Sequence, residues 1–158
     1  MIFFLAVTAT LVADQIAKAL VRAYLPPGEI VKVFGNFLII NQQRNSGIAF
    51  SLFTRANNAV IIIFTLVLVG LLLAYVLWKR ESDRLALVGL GLICGGALGN
   101  IIDRFAFGQV IDFVDFNFWP VFNLADMAIV IGVFLFMIGF IRNYPGKDAL
   151  EGGSGDAS

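Results

Sequence analysis

The chain has 158 residues, of which 59% are hydrophobic and only 14% are Asp, Glu, Lys or Arg. A soluble domain carries about 25% charged residues, so this composition indicates a small integral membrane protein. Eleven basic residues balance eleven acidic ones, which leaves no basic excess for binding nucleic acid. The single cysteine, Cys94, excludes a disulfide within the chain. Because there is no His, a metal site could be built only from carboxylates.

Four hydrophobic segments are long enough to cross a membrane, which takes about 20 mostly apolar residues. We predict an α-helical membrane protein with four transmembrane helices, at about 1–25, 58–78, 85–103 and 121–142. The first segment contains Asp14, Lys18 and Arg22, and could alternatively be a secretory signal peptide. Asp14 and Lys18 lie four residues apart, on one helix face, where they can pair inside a bundle. This pairing favours a transmembrane span over a signal peptide.

Basic residues in the short connections predict the orientation of the spans. Three of them lie in 79–84, and Arg142 and Lys147 follow the last span. The positive-inside rule places these segments and both termini in the cytoplasm, and 26–57 and 103–120 outside.

Two parts of the chain lie outside the spans and their short connections. In the outer segment 26–57, the β-prone runs 30–34 and 37–40 are separated by Gly-Asn, which predicts a hairpin or small sheet at the membrane surface. The end of the chain, 145–158, is rich in Gly, Ser and Asp and is predicted to be a disordered cytoplasmic tail. We expect 1–144 to form one membrane domain.

Most of the polar side chains gather at the predicted outer end of the bundle. They are Asn45, Asn100, Asp103, Arg104, Asp112, Asp115, Asn123 and Asp126. Each has a structural interpretation: Asn123 and Asp126 have the spacing of a helix N-cap and its acidic partner, and Asp103 and Arg104 could be ordinary interfacial charges. As a set they indicate a functional site, because several carboxylates at one membrane face repel unless they are paired or protonated.

Two other features of the third span have only structural interpretations. The glycines of 95–99 favour close helix packing, and Cys94 is a lone thiol in an apolar segment.

The residue types restrict the chemistry that this set could perform. Without His, a Ser-His or Cys-His pair is impossible, and nothing brings Ser46 or Ser51 to a lysine such as Lys18 or Lys32. Two carboxylates can hydrolyse a bond by themselves, one taking a proton from water while the other, protonated, polarises a carbonyl. Asp112 and Asp126 are 14 residues apart, with Pro120 between them, so a loop folding back onto the fourth span could bring them together.

Five short blocks resemble those of lipoprotein signal peptidase, also called signal peptidase II. They are DQIAK at 14–18, NSGIAF at 45–50, GGALGNIIDR at 95–104, VIDF at 110–113 and FNLAD at 122–126. They occur in the family's order and extend from the first span to the fourth.

The resemblance implies an intramembrane aspartyl protease of the bacterial inner membrane. Such enzymes cleave a prolipoprotein just before a cysteine that carries a diacylglyceryl group. Asp112 and Asp126 would be the catalytic pair, near the extracytoplasmic face, with no cofactor and no obligatory second copy. The partners would be lipid-modified prolipoproteins and membrane lipid. Residues expected to bind substrate or support the site are Asp14, Lys18, Asn45, Gly47, Ala49, Phe50, Asn100, Asp103, Arg104 and Asn123.

Two alternatives remain open at this point. A proton or cation transporter could use Asp14, Lys18, Asp103 and Asp126 as a relay. It predicts polar residues across the whole bilayer depth, whereas the second span and the inner half of the fourth have none. A non-catalytic scaffold could use the same acids to bind a partner or a divalent cation.

Overall fold

The computed structural model describes residues 1–47, 58–79 and 83–143. Within these ranges the chain forms four helices, and each is long and apolar enough to cross a membrane. They are α1 (Ile2–Tyr24), α2 (Asn58–Lys79), α3 (Arg84–Phe107) and α4 (Leu124–Arg142). The predicted four-helix membrane fold is confirmed. The predicted tail, together with Ala49 and Phe50, lies outside the described residues.

Helix α3 is the centre of the bundle. It packs along α1 and α4 and also contacts α2. The backbone of α2 approaches no helix other than α3 among the described residues. Toward the C-terminal end of α2, this helix meets α4 through the rings of Tyr75 and Phe136, whose centroids are 6.1 Å apart. A groove between α2 and α4 is therefore closed at one end and bounded along one side by α3.

Glycines allow α3 to approach its neighbours closely. Gly91, Gly95 and Gly99 recur every fourth residue on the side that faces α1, and Gly96 faces α4. A Cβ atom on Gly99 would lie 2.5 Å from Oδ2 of Asp14, which is too close for any real contact. The prediction that these glycines serve helix packing is confirmed, and it follows that they set the distance between the polar groups of α1 and α3.

Three antiparallel strands form a small sheet in the order β1-β2-β3. Strands β1 (Ile30–Phe34) and β2 (Leu38–Asn45) form the predicted hairpin. Strand β3 (Val110–Asp115) occupies a segment that was predicted to be a loop, and the loop prediction is wrong. Its β-branched and aromatic residues suit a strand, but its partner β2 lies far away in the sequence, so no local turn signal marks the pairing.

Two helix boundaries differ from the predicted spans. Helix α3 continues beyond 103 to Phe107 and ends at Gly108, whose φ of 72° is the left-handed conformation that terminates helices. Helix α4 starts at Leu124 rather than 121, because Asn123 has an extended backbone and caps it. Asp103 and Arg104 therefore lie within a helix, and the residues just before α4 remain free to pair with β3.

We predict that Gly99→Ala destabilises the protein by about 1–3 kcal/mol, because the added methyl group displaces the buried Asp14 carboxylate. Thermal unfolding in detergent measures the effect. Gly70→Ala on α2 is the matched control, since no atom from another described part of the chain lies within 4 Å of the Cβ position there. It should leave the midpoint unchanged or raise it. Equal midpoints for both variants would show that the α1–α3 contact tolerates a methyl group.

Candidate active site

Asp112 and Asp126 come from different elements that one backbone turn brings together. Asp112 lies in the middle of β3 and is 3% exposed, and Asp126 lies in the first turn of α4. Between them the chain reverses, and the backbones of Val114 and Phe122 exchange hydrogen bonds of 2.8 and 3.1 Å. The predicted folding of this segment back onto the start of the fourth span is confirmed, with a strand in place of the expected loop.

A single buried side chain, that of Asn123, contacts both acids. Its Nδ2 donates to Oδ1 of Asp112 at 2.6 Å, and its Oδ1 accepts from the backbone N–H of Asp126 at 3.0 Å. The backbone N–H of Asn123 donates to Oδ2 of Asp126 at 3.3 Å. This is a capping box, so the N-cap interpretation of Asn123 is confirmed. The same side chain therefore holds Asp112 of β3 beside Asp126 of α4.

Two further asparagines complete the hydrogen bonding of the carboxylates. Asn45, at the end of β2, donates to Oδ2 of Asp112 at 2.9 Å. Asn100, on α3, donates to Oδ1 of Asp126 at 2.8 Å and accepts from Asn123 at 3.2 Å. All four carboxylate oxygens of the pair therefore accept a hydrogen bond from an amide.

The ammonium group of Lys18 contacts these hydrogen-bonded side chains through Asn100 and has no exposed surface. Its Nζ is 2.9 Å from Oδ2 of Asp14, 3.0 Å from Oδ2 of Asp103 and 2.9 Å from Oδ1 of Asn100. The predicted pairing of Asp14 with Lys18 is confirmed. Because Lys18 can only donate, it holds Oδ1 of Asn100 toward itself, and the amide nitrogen of Asn100 must face Asp126.

The two supporting acids also bind the backbone immediately before each member of the pair. Oδ1 of Asp14 accepts from the N–H of Ala125 at 3.0 Å, and Oδ2 of Asp103 accepts from the N–H of Ile111 at 3.2 Å. Ala125 precedes Asp126 and Ile111 precedes Asp112 in the chain. Asp103 is fully buried, so its interpretation as an interfacial charge is wrong.

One supporting residue was missed by the sequence analysis. Gln15 donates from Nε2 to the carbonyl of Gly99 at 3.2 Å and, at 3.4 Å, to Oδ1 of Asp103. Its place in the DQIAK block at 14–18 was the available signal, but an uncharged glutamine in the middle of a predicted span does not by itself indicate a site.

Arg104 and Gly47 connect α3 to the end of the hairpin. Nη2 of Arg104 donates to the carbonyl of Gly47 at 2.8 Å, and Nη1 donates to the carbonyl of Asn100 at 3.3 Å. Gly47 in turn donates its N–H to Oδ1 of Asn45 at 2.9 Å. Both predicted residues therefore lie at the site.

A cavity of about 1290 Å³ opens from the acid pair into the groove between α2 and α4. Its polar end includes Asp112, Asp126 and Arg104, and the rest of its wall is largely apolar. Helices α2 and α4 contribute many of the apolar lining residues: Ile61, Phe64 and Leu68 of α2, and Met127, Ile129, Val130 and Ile131 of α4. Sequence analysis could not separate these residues from lipid-facing ones, because apolar side chains in a span look alike. The cavity can hold an elongated apolar group with one polar end at the carboxylates.

The carboxyl group of Asp112 is the titratable group of the site that lies outside the spans. Burial raises its pKa from the ordinary 3.8 to about 6; hydrogen bonds from Asn45 and Asn123 oppose this shift, and the charge of Asp126 adds to it. A proton is therefore held on this carboxyl at a far higher pH than on an exposed aspartate. Among residues 1–47, 58–79 and 83–143, no group of three Asp, Glu, His or Cys side chains is arranged to hold a metal ion.

Two solved structures share this architecture. Both are described as bacterial membrane enzymes; one is 29% identical with a TM-score of 0.84, covering 92% of this chain and 90% of its own. The other is 30% identical with a TM-score of 0.80, covering 89% of this chain and 93% of its own. The fold and site thus define a multi-pass membrane enzyme.

Sequence comparisons identify the family. The family model for signal peptidase (SPase) II matches residues 6–142. The lipoprotein signal peptidase of Moorella thermoacetica is 42% identical over 133 residues, 84% of this chain and 88% of that protein. That of Gloeobacter violaceus is 41% identical over 143 residues, 89% of this chain and 82% of its own. The chain belongs to the signal peptidase II family and is an aspartic endopeptidase of the membrane.

We predict that the fold gains stability from protonation of Asp112. Because its pKa in the folded state is raised, this contribution is complete below pH 3.8 and is lost as the pH rises through about 6. Between pH 7 and pH 5 the wild type should therefore gain about 1 kcal/mol relative to Asp112→Asn, which cannot titrate. Unfolding midpoints measured in detergent across this range test the prediction. Parallel pH profiles for the two proteins would contradict it.

Proposed function

We propose that the protein removes the signal peptide of prolipoproteins by hydrolysing the bond before a cysteine that carries a diacylglyceryl group. Membership of the signal peptidase II family supports the class of substrate. The observation that supports the lipid requirement is the cavity itself, because two carboxylates lie at the head of a groove with apolar walls. The scissile peptide bond would lie at the carboxylates, and the adjoining acyl chain would lie in the apolar groove.

In the proposed reaction, one acid of the Asp112–Asp126 pair acts as the general base and the other as the general acid. The ionised carboxylate takes a proton from water, which attacks the scissile carbonyl, while the protonated one donates to the developing oxyanion. When the C–N bond breaks, the proton taken from water passes to the leaving amine. No covalent intermediate or cofactor is required.

The charges around the site favour one shared proton on the pair. Asp112 and Asp126 add two carboxylates to the two that surround Lys18, so four carboxylates face three cations. The cations are Lys18, Arg22 and Arg104. Asp115 and Arg44, which also line the cavity, carry opposite charges and leave this count unchanged. One excess negative charge remains, and a single proton on the pair cancels it. This is the protonation state that the mechanism needs.

Arg104, Asn45 and Asn100 are suited to bind the substrate backbone. All three line the cavity, and Nε of Arg104 is buried with no hydrogen-bond partner among the described residues. A signal peptide helix must unwind at the scissile bond, and its freed carbonyl and N–H groups need partners inside the membrane. The guanidinium group and the two amides supply them.

Asp14, Lys18 and Asp103 are positioning residues in this proposal. They do not line the cavity, but they hold Asn100 and the backbone before each acid. We further propose that the enzyme resides in the bacterial inner membrane, with both termini in the cytoplasm and the acid pair near the outer face. The basic residues that follow α2 and α4 support this orientation.

The test uses purified protein in detergent and two synthetic prolipoprotein peptides, one with a diacylglyceryl cysteine and one with an unmodified cysteine. We expect cleavage before the cysteine of the lipidated peptide, with kcat/KM at least about 100-fold lower for the other, because the groove then remains unfilled. Mass spectrometry identifies the bond that is cut. Asp112→Asn, checked for intact folding, serves as the inactive control.

Equal cleavage of both peptides would refute the lipid requirement while leaving the peptidase assignment intact. Cleavage at another bond would refute the assignment of the scissile position.

A further inference from the structure

A second, smaller cavity lies on the other side of the sheet from the acid pair. It has a volume of about 360 Å³ and lies between the outer ends of α1 and α3 and strands β2 and β3. Gln42 and Gln43 are neighbours on β2, so their side chains point to opposite faces, and Gln42 lines the second cavity while Gln43 lines the first. The proposed peptidase reaction does not use this second cavity.

Two guanidinium groups line the second cavity. Nη1 of Arg22 is buried without a hydrogen-bond partner and is 3.6 Å from Oδ1 of Asp103, within reach of an ion pair but too far for a hydrogen bond. Arg44, which borders both cavities, forms no ion pair with any described residue. The Arg22 group is held in place by the ring of Phe107, 4.5 Å from its carbon to the ring centroid.

The charged residues that line the second cavity are both cationic, Arg22 and Arg44. Asp103 is the ion-pair partner of Arg22, and no described carboxylate forms an ion pair with Arg44. An anion with two or more acceptor oxygens would satisfy both guanidinium groups, and phosphate is a usual ligand of paired arginines.

The neutral groups of the cavity add a second requirement. Oε1 of Gln42 is buried without a partner, and it can only accept a hydrogen bond. A ligand with a hydroxyl or N–H donor beside its anionic group would satisfy it. A phosphate linked to glycerol has both.

The depth of the cavity matches the layer of lipid headgroups. Arg22 lies in the last turn of α1, whose 23 residues span about 35 Å at 1.5 Å per residue, slightly more than the hydrocarbon core. Pro27 and Phe107 form an apolar part of the wall. The cavity therefore lies where the headgroup of a neighbouring phospholipid would be found.

We propose that this second cavity binds a glycerophosphate group between Arg22, Arg44 and Gln42. The anionic headgroup of phosphatidylglycerol carries this chemistry, as does soluble glycerol 1-phosphate. The bound group sits against the face of the sheet opposite Asp112, and its binding does not depend on cleavage.

The test measures the unfolding midpoint of delipidated protein in detergent with three added probes. These are phosphatidylglycerol, phosphatidylcholine with the same acyl chains, and glycerol 1-phosphate. Phosphatidylcholine is the control for any stabilisation that comes from acyl chains entering the groove between α2 and α4. We expect phosphatidylglycerol to raise the midpoint at lower concentration than phosphatidylcholine does, and Arg44→Gln to weaken this effect about tenfold.

Lys32→Gln is the matched control, because Lys32 lies on the exposed strand β1 and loses the same charge outside the cavity. Gln42→Leu is a second variant, and it should weaken the effect of phosphatidylglycerol by a smaller factor. A response to glycerol 1-phosphate alone that Arg44→Gln removes would support the site and assign it to a soluble ligand. Equal effects of both lipids, or equal loss in Arg44→Gln and Lys32→Gln, would overturn the proposal.

Discussion

The Lys18 ammonium group is removed from water and donates to Asp14, Asp103 and Asn100. An unpaired ammonium buried at this depth would cost several kcal/mol, so the three acceptors must be in place whenever the protein is folded. Two of them bind the backbone before Asp112 and Asp126, and the third donates to Asp126. The requirement to satisfy one buried cation thus fixes α1, α3, α4 and β3 relative to one another and places the acid pair.

The site combines features that each destabilise a fold when taken alone. A buried carboxyl on β3 and a second one on α4 repel when both are ionised, and the groove beside them is a large cavity between helices. Asn123 offsets part of this cost, because one side chain caps α4 and binds Asp112. Asn123 therefore has a structural role and a role in the site at the same time.

The sequence predicted the four helices because uncharged runs of this length have few other structures available to them. It also predicted the Asp14–Lys18 pair from helical spacing and the first hairpin from its Gly-Asn turn. It could not predict strand β3, whose partner is distant in the sequence. Hydrophobic length alone misplaced the end of α3 and the start of α4, although the N-cap spacing of Asn123 did mark where α4 begins. Residue chemistry and family resemblance both indicated Asp112 and Asp126 as the candidate pair. The positions of Gln15 and of the apolar groove residues depend on tertiary contacts that no local pattern encodes.

The central claim is that Asp112 and Asp126 act as one catalytic unit that shares a proton. Its most direct test compares kcat on a lipidated prolipoprotein for Asp112→Asn, Asp126→Asn and the double variant, with Glu29→Gln, an exposed acid outside the site, as the control for charge removal. We expect each single variant to lose as much activity as the double variant, because neither acid works alone. Losses that multiply independently, or a single variant that keeps a substantial rate, would contradict it.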